Sequence, residues 1–298
     1  MIDFSKIKTI SIKDREHKEA LVRFPNPDDP FKIIENEDLR ELAERIIEAY
    51  NKNKQIIFMI GGHVVKTGMS AYIVDLMKKG VINHIAMNGA TSIHDFEIAT
   101  YGETSEDVES GIKNGTFGMV KETGEFMNSA IKEGAGSGNG YGHAIGKKID
   151  ELNGKNKEKS VLYQAYNLGI PATVHVAIGN DTIHMNPKCD GSSLGKATYI
   201  DFKKFADTLS KADKGVIVNI GSAVILPETF LKAITIVRNL GYDIGDITTA
   251  NLDMIDHYRP RLNVVERPVS ALGGKGFVII ERHEKTIPSL YKLIMKAI

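Results

Sequence analysis

Residues 56–68 carry the sequence Ile-Ile-Phe-Met-Ile-Gly-Gly-His-Val-Val-Lys-Thr-Gly, in which five apolar residues run directly into two glycines. A continuous apolar run is typical of a strand buried on both faces, as in parallel sheets. Helical spacing follows through Tyr72, Ile73, Leu76 and Met77. Glycines after such a strand let a ligand approach the backbone, and the next helix offers free N–H groups to an anion. The pattern indicates a nucleotide or phosphate site, although the spacing is not Gly-x-Gly-x-x-Gly.

The same unit of an apolar strand, a turn and a helix repeats along the chain. Five more strands are predicted, at 82–87, 170–179, 215–220, 246–253 and 276–280. Small residues follow two of them, as Asn88-Gly89-Ala90 and Gly221-Ser222. Right-handed connections place such turns on one edge of a parallel sheet. The predicted fold class is α/β, a single Rossmann-like three-layer domain with a mainly parallel sheet over residues 36–298.

The first 35 residues are predicted to form an N-terminal arm that lies over this domain. The arm has short β-type pieces at 7–12 and 20–24 and a proline-rich turn at 25–30, which cannot be helical. Residues 104–107 resemble a helix capping box. The glycine-rich run at 134–142 follows no strand and lacks a closing Gly-Lys-Ser/Thr, so it fails the P-loop test and is predicted to be a lid or a linker.

Composition excludes several kinds of partner. Lys and Arg together number 38, as do Asp and Glu, so no net charge attracts nucleic acid or a membrane surface. Cys189 is the only cysteine, which excludes an internal disulfide and fits a reducing compartment. The chain begins without a basic segment leading into an apolar one, and no apolar run approaches ~18 residues. We therefore expect a cytoplasmic protein with no nucleic-acid or membrane partner.

Taken together, these segments resemble the deoxyhypusine synthase family over most of residues 55–295. The resemblance rests on the order and spacing of segments 61–68, 80–95, 190–195, 247–253 and 267–275. The family has one NAD-binding α/β domain and is usually a homotetramer with active sites at a subunit interface. It oxidises spermidine with NAD and passes an aminobutyl group, through a lysine-bound imine, to a lysine of a translation factor. The resemblance implies NAD as cofactor, a small-molecule amine or amino-acid-like substrate, and a homo-oligomer, either a dimer or a tetramer.

The cofactor-binding residues come from this resemblance and from the turns after the strands. Residues 62–66 match the family's first NAD loop and 88–90 match the second, while His94 and Asp95 fall where the family places two acids near the cofactor. The predicted set is Gly61, Gly62, His63, Val64, Lys66, Thr67, Asn88, Gly89, Ala90, Asp95, Asp190, Ser193, Gly221, Ser222, His283 and Glu284.

Two residues are predicted to be catalytic. Lys275 falls at the family's imine-forming lysine, and it would have to lose its proton, which desolvation or a nearby cation favours. The alternative is an ordinary lysine in a solvent-facing turn. His94 is a candidate general base or ribose contact. Neighbours on a helix point about 100° apart, so Asp95 cannot pair with it directly, and helix capping is the alternative role for Asp95.

The predicted substrate differs from spermidine. The chain has no Trp, and before the lysine it has Arg261, Asn263, Val264 and Val269 in place of the acids with which the family grips the polyamine. A polar group farther upstream is predicted to bind a substrate that carries both an amine and an acid. Its members are Asp253, Asp256, His257 and Arg259. The alternative is a cluster of surface salt bridges.

The predicted function is an NAD-dependent enzyme that oxidises an amine and transfers the resulting imine through Lys275. One alternative is a nucleotide-binding protein without redox chemistry. A second is a metal-dependent hydrolase built on His175 and His184, with Asp181 and Asp190 nearby. Their spacing matches no common zinc signature, so no metal site is predicted.

Overall fold

A computed structural model describes residues 2–15 and 23–298, and in them six parallel strands form one sheet with the order β3-β2-β1-β4-β5-β6. The strands are β1 (Ile56–Ile60), β2 (His84–Asn88), β3 (Ala172–His175), β4 (Val216–Ile220), β5 (Ile247–Asp253) and β6 (Gly274–Ile280). The strand order reverses between β1 and β4, which is the arrangement of a doubly wound sheet. The predicted α/β fold with a parallel sheet is confirmed.

Helices cover both faces of this sheet. They are α1 (Glu37–Asn51), α2 (Gly62–Lys66), α3 (Ser70–Lys78), α4 (Gly89–Tyr101), α5 (Val108–Asn114), α6 (Lys121–Gly136), α7 (Tyr141–Leu152), α8 (Val161–Leu168), α9 (Gly191–Leu209), α10 (Ile225–Asn239), α11 (Tyr258–Pro260), α12 (Arg267–Leu272) and α13 (His283–Met295). Short 3-10 turns lie at Phe4–Lys6, Ile12–Asp14, Lys157–Lys159 and Thr182–Met185, and a π-helical segment at Arg261–Glu266 joins α11 to α12.

The alternation of side chains along β1 builds the two cores. Phe58 and Ile60 belong to the core that includes α1 and α13, whereas Ile57 and Met59 belong to the core that includes α9 and α10. All five residues of β1 are buried. Successive side chains of a strand point to opposite faces, so an uninterrupted apolar run is what a sheet covered on both sides requires.

Three local predictions need correction. The helical pattern after β1 is divided into α2 and α3, because Gly68 between them has a φ of +76°. A side chain there would overlap the carbonyl oxygen of Arg23. The glycine-rich run at 134–142 is neither a lid nor a linker, since it forms the end of α6, a short turn and the start of α7. Likewise Asp107, predicted inside a capping box, is itself the N-cap of α5.

Both described parts of the N-terminal arm pack on the α/β domain. Ile10 forms an isolated parallel bridge with Val120, and the carboxylate of Glu122 accepts hydrogen bonds from Ser11 and from the backbone N–H of Ile12. Segment 7–12 is therefore not a continuous strand. In the second part, the N–H of Ile34 donates to the Ser289 hydroxyl of α13 over 3.1 Å. The predicted β piece at 20–24 lies mostly outside the described residues.

One buried carboxyl in α9 makes stability depend on pH. Asp201 is fully buried and accepts hydrogen bonds from the N–H groups of Gly142 and Val174, so it joins α7 to β3. Burial raises its pKa to about 7. Because the folded-state pKa of Asp201 lies above its ordinary value, the folded protein holds this proton more tightly than the unfolded chain does. The contribution of the protonated carboxyl to the free energy of unfolding is therefore complete in acid and is lost as the pH rises toward 7.

We expect the wild type to lose about 2 kcal/mol more of its unfolding free energy between pH 5 and pH 7 than Asp201→Asn does. The asparagine oxygen can accept both N–H bonds but does not titrate in this range. Urea unfolding of both proteins at several pH values measures the difference. Parallel pH profiles would show that Asp201 does not titrate in the folded state.

Candidate functional site

The carboxyl ends of β1, β4, β5 and β6 lie side by side at the point where the strand order reverses. Gly61 donates its N–H to the carbonyl of Ile220 over 2.8 Å, and Gly221 donates to Leu252 over 3.0 Å. Glu281 donates to Asp253 over 3.0 Å. These bonds continue the ladder past the strand ends, so the turns meet in one crevice, as the sequence predicted for Gly61, Gly62 and Gly221.

The backbones at this crevice approach too closely for side chains. A methyl group on Gly61 would overlap the carbonyl oxygen of Gly221. Gly221 has a φ of +68°, and a methyl group on it would lie 2.6 Å from Nε2 of His283. The neighbouring Ser222 is buried, and its hydroxyl accepts a 3.4 Å hydrogen bond from the N–H of Leu226 in α10. The two glycines let the turns after β1 and β4 and the His283 ring pack directly against one another at the switch point.

Three histidines surround the start of α2. The rings of His63 and His283 are 5.7 Å apart between centroids. On the other side, a methyl group at Gly62 would lie 3.0 Å from Cδ2 of His94. Around them, Val64 is buried in the core, and the Thr67 hydroxyl donates to the carbonyl of His63 over 2.9 Å. The predicted residues of α2 and His283 therefore do come together.

His283 is the most unusual of these side chains. It is fully buried at the start of α13, and neither ring nitrogen has a hydrogen-bond partner within the described residues. Burial and the nearby His63 lower its pKa, while the carboxylate of Asp253 opposes them. Asp253 ends β5 and accepts a 2.7 Å bond from the N–H of Met254. A buried imidazole without a partner costs free energy, which a ligand that bonds to it would recover.

His94 is held in a defined tautomer. The Thr104 hydroxyl donates its proton to Glu97 over 2.7 Å, so it can only accept from Nδ1 of His94, 2.8 Å away. We infer that Nδ1 carries the proton and that Nε2 is an acceptor. Burial, with Lys66, Arg15 and His63 adding to it, lowers the His94 pKa to about 3. The ring is therefore neutral at physiological pH and acts as a hydrogen-bonding group there.

A cavity of about 260 Å³ lies beside His94. Its lining includes Lys66 of α2, Ala90 of α4 and Asp181 from the connection after β3. Burial raises the pKa of Asp181 to about 6. The lining also includes Arg15, whose Nη1 lies 2.7 Å from Oε1 of Glu97, with both side chains almost fully buried. The cavity thus holds groups of both charges next to the glycine crevice.

The start of α4 forms the boundary between β2 and this cavity. Asn88 caps the helix by accepting a 2.9 Å hydrogen bond from the N–H of Thr91. Gly89 lies directly beneath the carboxylate of Asp181, which a methyl group at that position would overlap. The predicted residues Asn88, Gly89 and Ala90 are therefore at the carboxyl edge of the sheet.

Other predicted cofactor residues have structural roles. Asp95 is buried and accepts hydrogen bonds from the Ser160 hydroxyl and from the N–H groups of Val161 and Leu162, so it caps α8. Asp190 caps α9 and accepts a 2.7 Å bond from the hydroxyl of Ser193.

Lys275 does not lie at the crevice of its own chain. It is the second residue of β6 and pairs with Thr248 near the start of β5, at the amino edge of the sheet. The glycine turns lie at the opposite edge. Its ammonium group lies 3.5 Å from a carboxylate oxygen of Glu41, and its side chain is 48% exposed. Lys275 is therefore not beside the turns that were predicted to bind the cofactor, and it has the solvent-facing setting of the alternative interpretation.

The predicted substrate residues after β5 are divided between the crevice and the surface. Asp253 is buried beside His283, as described above. Asp256 instead pairs with Arg261, and Arg259 lies 3.5 Å from Glu228, with all four side chains substantially exposed. The fourth predicted substrate residue, His257, is the N-cap of α11. Glu284, which was predicted to bind the cofactor, is an exposed residue in the first turn of α13.

Neither a metal site nor a membrane segment is found in the part of the chain that the structure describes. There, no group of three or more His, Cys, Asp or Glu residues is arranged to hold a metal ion. His175 bonds to Thr173, and His184 accepts the N–H groups of Gly179 and Asp181. Among the same residues, every helix is too short or too polar to span a bilayer.

Arg15 and Glu97 are the site residues that sequence reasoning missed. Arg15 belongs to a polar N-terminal segment that has no recognisable motif, and its partner is 82 positions away. Glu97 lies in α4 with the helical spacing of an ordinary surface acid. Asp181 was noted only as a neighbour of histidines. No local signal identifies these three residues as neighbours.

The crevice and the strand order define the class of protein: a doubly wound α/β protein with glycine turns at the switch point. No family model matches the sequence, and no curated protein is similar to it. Solved structures do match, among them ArgZ, an arginine dihydrolase from the ornithine–ammonia cycle in cyanobacteria, at 15% identity with a TM-score of 0.52, over 87% of this chain and 33% of ArgZ.

Two other matches have similar values. A LOR/SDH protein from Methanococcus maripaludis S2 is 17% identical, with a TM-score of 0.50, over 92% of this chain and 74% of its own. AgrE, in a ternary complex with ornithine and NAD+, is 11% identical with a TM-score of 0.51, over 90% of this chain and 34% of AgrE. The chain therefore spans about a third of the length of ArgZ and AgrE.

These structures share the fold of the present chain, and at identities of 11–17% the likeness extends to the fold alone. The resemblance drawn from the sequence is confirmed at the level of the fold.

Proposed function

We propose that the chain binds NAD across the crevice formed by Gly61, Gly62 and Gly221 and acts as an NAD-dependent enzyme on a small amine or amino-acid-like substrate. The observation that carries the proposal is the buried His283, whose ring nitrogens have no partner in the described chain although the ring faces Gly221. Dinucleotides bind at the switch point of doubly wound sheets, where glycines let the backbone approach the pyrophosphate.

The residues present fit the cofactor. His283 offers a donor and an acceptor, and Asp253 is a buried carboxylate next to it. A bound NAD+ supplies a hydride acceptor for the carbon next to an amine nitrogen. His94 would hold or orient the substrate through its neutral Nε2. The AgrE complex, which has the same fold and contains NAD+ and ornithine, supports the kind of ligand proposed.

Nucleotide binding without turnover is the second candidate function, because Lys275 lies at the other edge of the sheet and the pKa of His94 is low. A general base works best with a pKa near the operating pH. These observations favour nucleotide binding without turnover. Incubation of the protein with NAD+ and an amine panel that includes L-ornithine, followed by NADH absorbance, separates the two functions.

His283→Leu tests the cofactor site. Leucine fills the space but removes both ring nitrogens, so the unliganded variant should have an unchanged or higher melting temperature. NADH affinity should fall about tenfold, the effect of losing one hydrogen bond to a buried ligand. NADH fluorescence measures binding, and the absence of Trp from the chain removes tryptophan emission from the signal.

His143→Leu is the matched control, because His143 lies in α7 against Tyr166, far from the glycine turns. It should leave NADH affinity unchanged. Wild-type protein that binds neither NAD+ nor NADH would refute the proposed function. Unchanged NADH affinity in His283→Leu would remove His283 from the site.

A further inference from the structure

Arg15 enters the cavity beside His94 with unused hydrogen-bonding capacity. Its side chain is 2% exposed, and Nη1 donates to Glu97 over 2.7 Å. Nε and Nη2 are buried and have no partner among the described residues. A guanidinium group presents its donors in a fixed planar fork, so the free Nε and Nη2 form one edge that suits two oxygens of a carboxylate or phosphate.

The backbone around Arg15 fixes this edge in place. Residues just before it are anchored to α6, where Glu122 accepts hydrogen bonds from Ser11 and Ile12. Glu97, the ion-pair partner, also accepts hydrogen bonds from Thr104 and Thr123. The carboxylate of Glu97 is therefore shared among three donors, and Nε and Nη2 of Arg15, a lining residue of the cavity, have no partner among the described residues.

The size and charge of the cavity indicate what binds there. At about 260 Å³ it lies below the ~300–1,000 Å³ of pockets that bind drug-sized ligands, so it suits a molecule of amino-acid size and excludes a dinucleotide. Lys66 adds a second cation to the lining, and Asp181 adds a carboxylate. A ligand with a carboxylate at one end and an amine at the other matches this arrangement of charges.

We propose that Arg15 binds the carboxylate of the substrate and selects amino acids over amines that lack a carboxylate. The proposal rests on the proposed function, because the cavity borders the crevice assigned to NAD. It assigns to the N-terminal segment the role of a specificity-determining residue. The amine end of the substrate then lies toward Asp181 and the acceptor Nε2 of His94.

The test compares ligands that carry a carboxylate with matched amines that lack one. The protein, with and without saturating NAD+, is titrated calorimetrically with L-ornithine and putrescine, and with propionate and propylamine. We expect each carboxylate to bind at least about tenfold more tightly than its matched amine, as a charge-assisted bidentate contact implies. Arg15→Lys retains a cation for Glu97 but loses the fork, and it should reduce the ratio to about twofold or less.

Arg45→Lys is the matched control, because Arg45 pairs with Glu41 on the surface of α1, and it should retain the wild-type ratio. If Arg15→Lys fails to fold, a crystal of the wild type soaked in propionate decides the question by showing the carboxylate on Nε and Nη2 or elsewhere. Failure of the carboxylates to outbind the amines in wild-type protein would overturn the proposal.

Further results distinguish the failure of this proposal from the failure of the proposed cofactor site. In one outcome, inorganic phosphate binds and no carboxylate does. In another, Arg15→Lys weakens NADH binding and leaves the ratio of carboxylate to amine affinity unchanged. Either outcome means that Arg15 holds a cofactor phosphate and that the proposal is wrong. Normal NADH binding without any preference for carboxylates overturns the role of Arg15 alone. A preference for carboxylates without NADH binding refutes the proposed function but keeps the anion site.

Discussion

Gly61→Ala is expected to lower the free energy of unfolding by about 3 kcal/mol or more, toward the upper end of the cost of overpacking. The added methyl group would overlap the carbonyl oxygen of Gly221, which is backbone and cannot rotate away. The N–H of Gly61 is bonded to Ile220, so separating the two turns would also break the ladder between β1 and β4. Urea unfolding at neutral pH measures the loss.

Gly136→Ala is the matched control for this substitution. Gly136 ends α6, and a methyl group built on it has no neighbour within 4 Å. Alanine is the better helix former, so stability should stay constant or rise by about 0.5–1 kcal/mol. A Gly61→Ala variant as stable as the wild type would mean that the turns after β1 and β4 are not in contact.

The architecture was predictable because its signal is local. The buried run of β1 and the glycines after it are contiguous in sequence, and the strand–turn–helix unit repeats along the chain. Such patterns predict parallel strands and put the turns after them on one edge. The helix after β1 was predicted as one element because nothing in the local sequence shows that the backbone of Arg23 would approach Gly68.

The position of Lys275 also has a local signal in the sequence, which is its place before an apolar strand and not after one. A residue that precedes a parallel strand lies at the edge opposite to residues that follow strands. Lys275 comes before the apolar part of β6, whereas Gly61 and Gly221 follow β1 and β4. Topology alone therefore places the lysine away from the glycine turns of its own chain, whatever its position in a family motif.

The remaining site residues were hidden because they are brought together by tertiary structure. Arg15 and Glu97 are distant in sequence, and each is an ordinary charged residue in its local context. Burial of such a pair is decided by how the N-terminal segment docks on α6 and α4. Periodicity and turn chemistry carry no information about that docking, so neither residue stood out.

Glu97→Ala is expected to destabilise the fold by about 3–5 kcal/mol, the cost of leaving one member of a buried ion pair without its partner. Arg15 would keep its charge in a site that is almost completely dehydrated. The hydroxyls of Thr104 and Thr123 would also lose their acceptor. Because these groups lie in four separate segments, the N-terminal segment, α4, the loop before α5 and α6 should all loosen together.

The loss of stability expected for Glu97→Ala depends on the burial of the ion pair, and two other variants test that dependence. Glu41→Ala removes an exposed carboxylate that pairs with Arg45 and Lys275, and it should change stability little because solvent screens such pairs. The double variant Arg15→Met with Glu97→Leu removes both buried charges and should recover much of the stability lost in Glu97→Ala. Thermal and urea unfolding of the four proteins provide the comparison. If Glu97→Ala were no more harmful than Glu41→Ala, Arg15 would have to reach water or another acid in solution. Glu97 would then not be the group that holds the guanidinium beside the cavity.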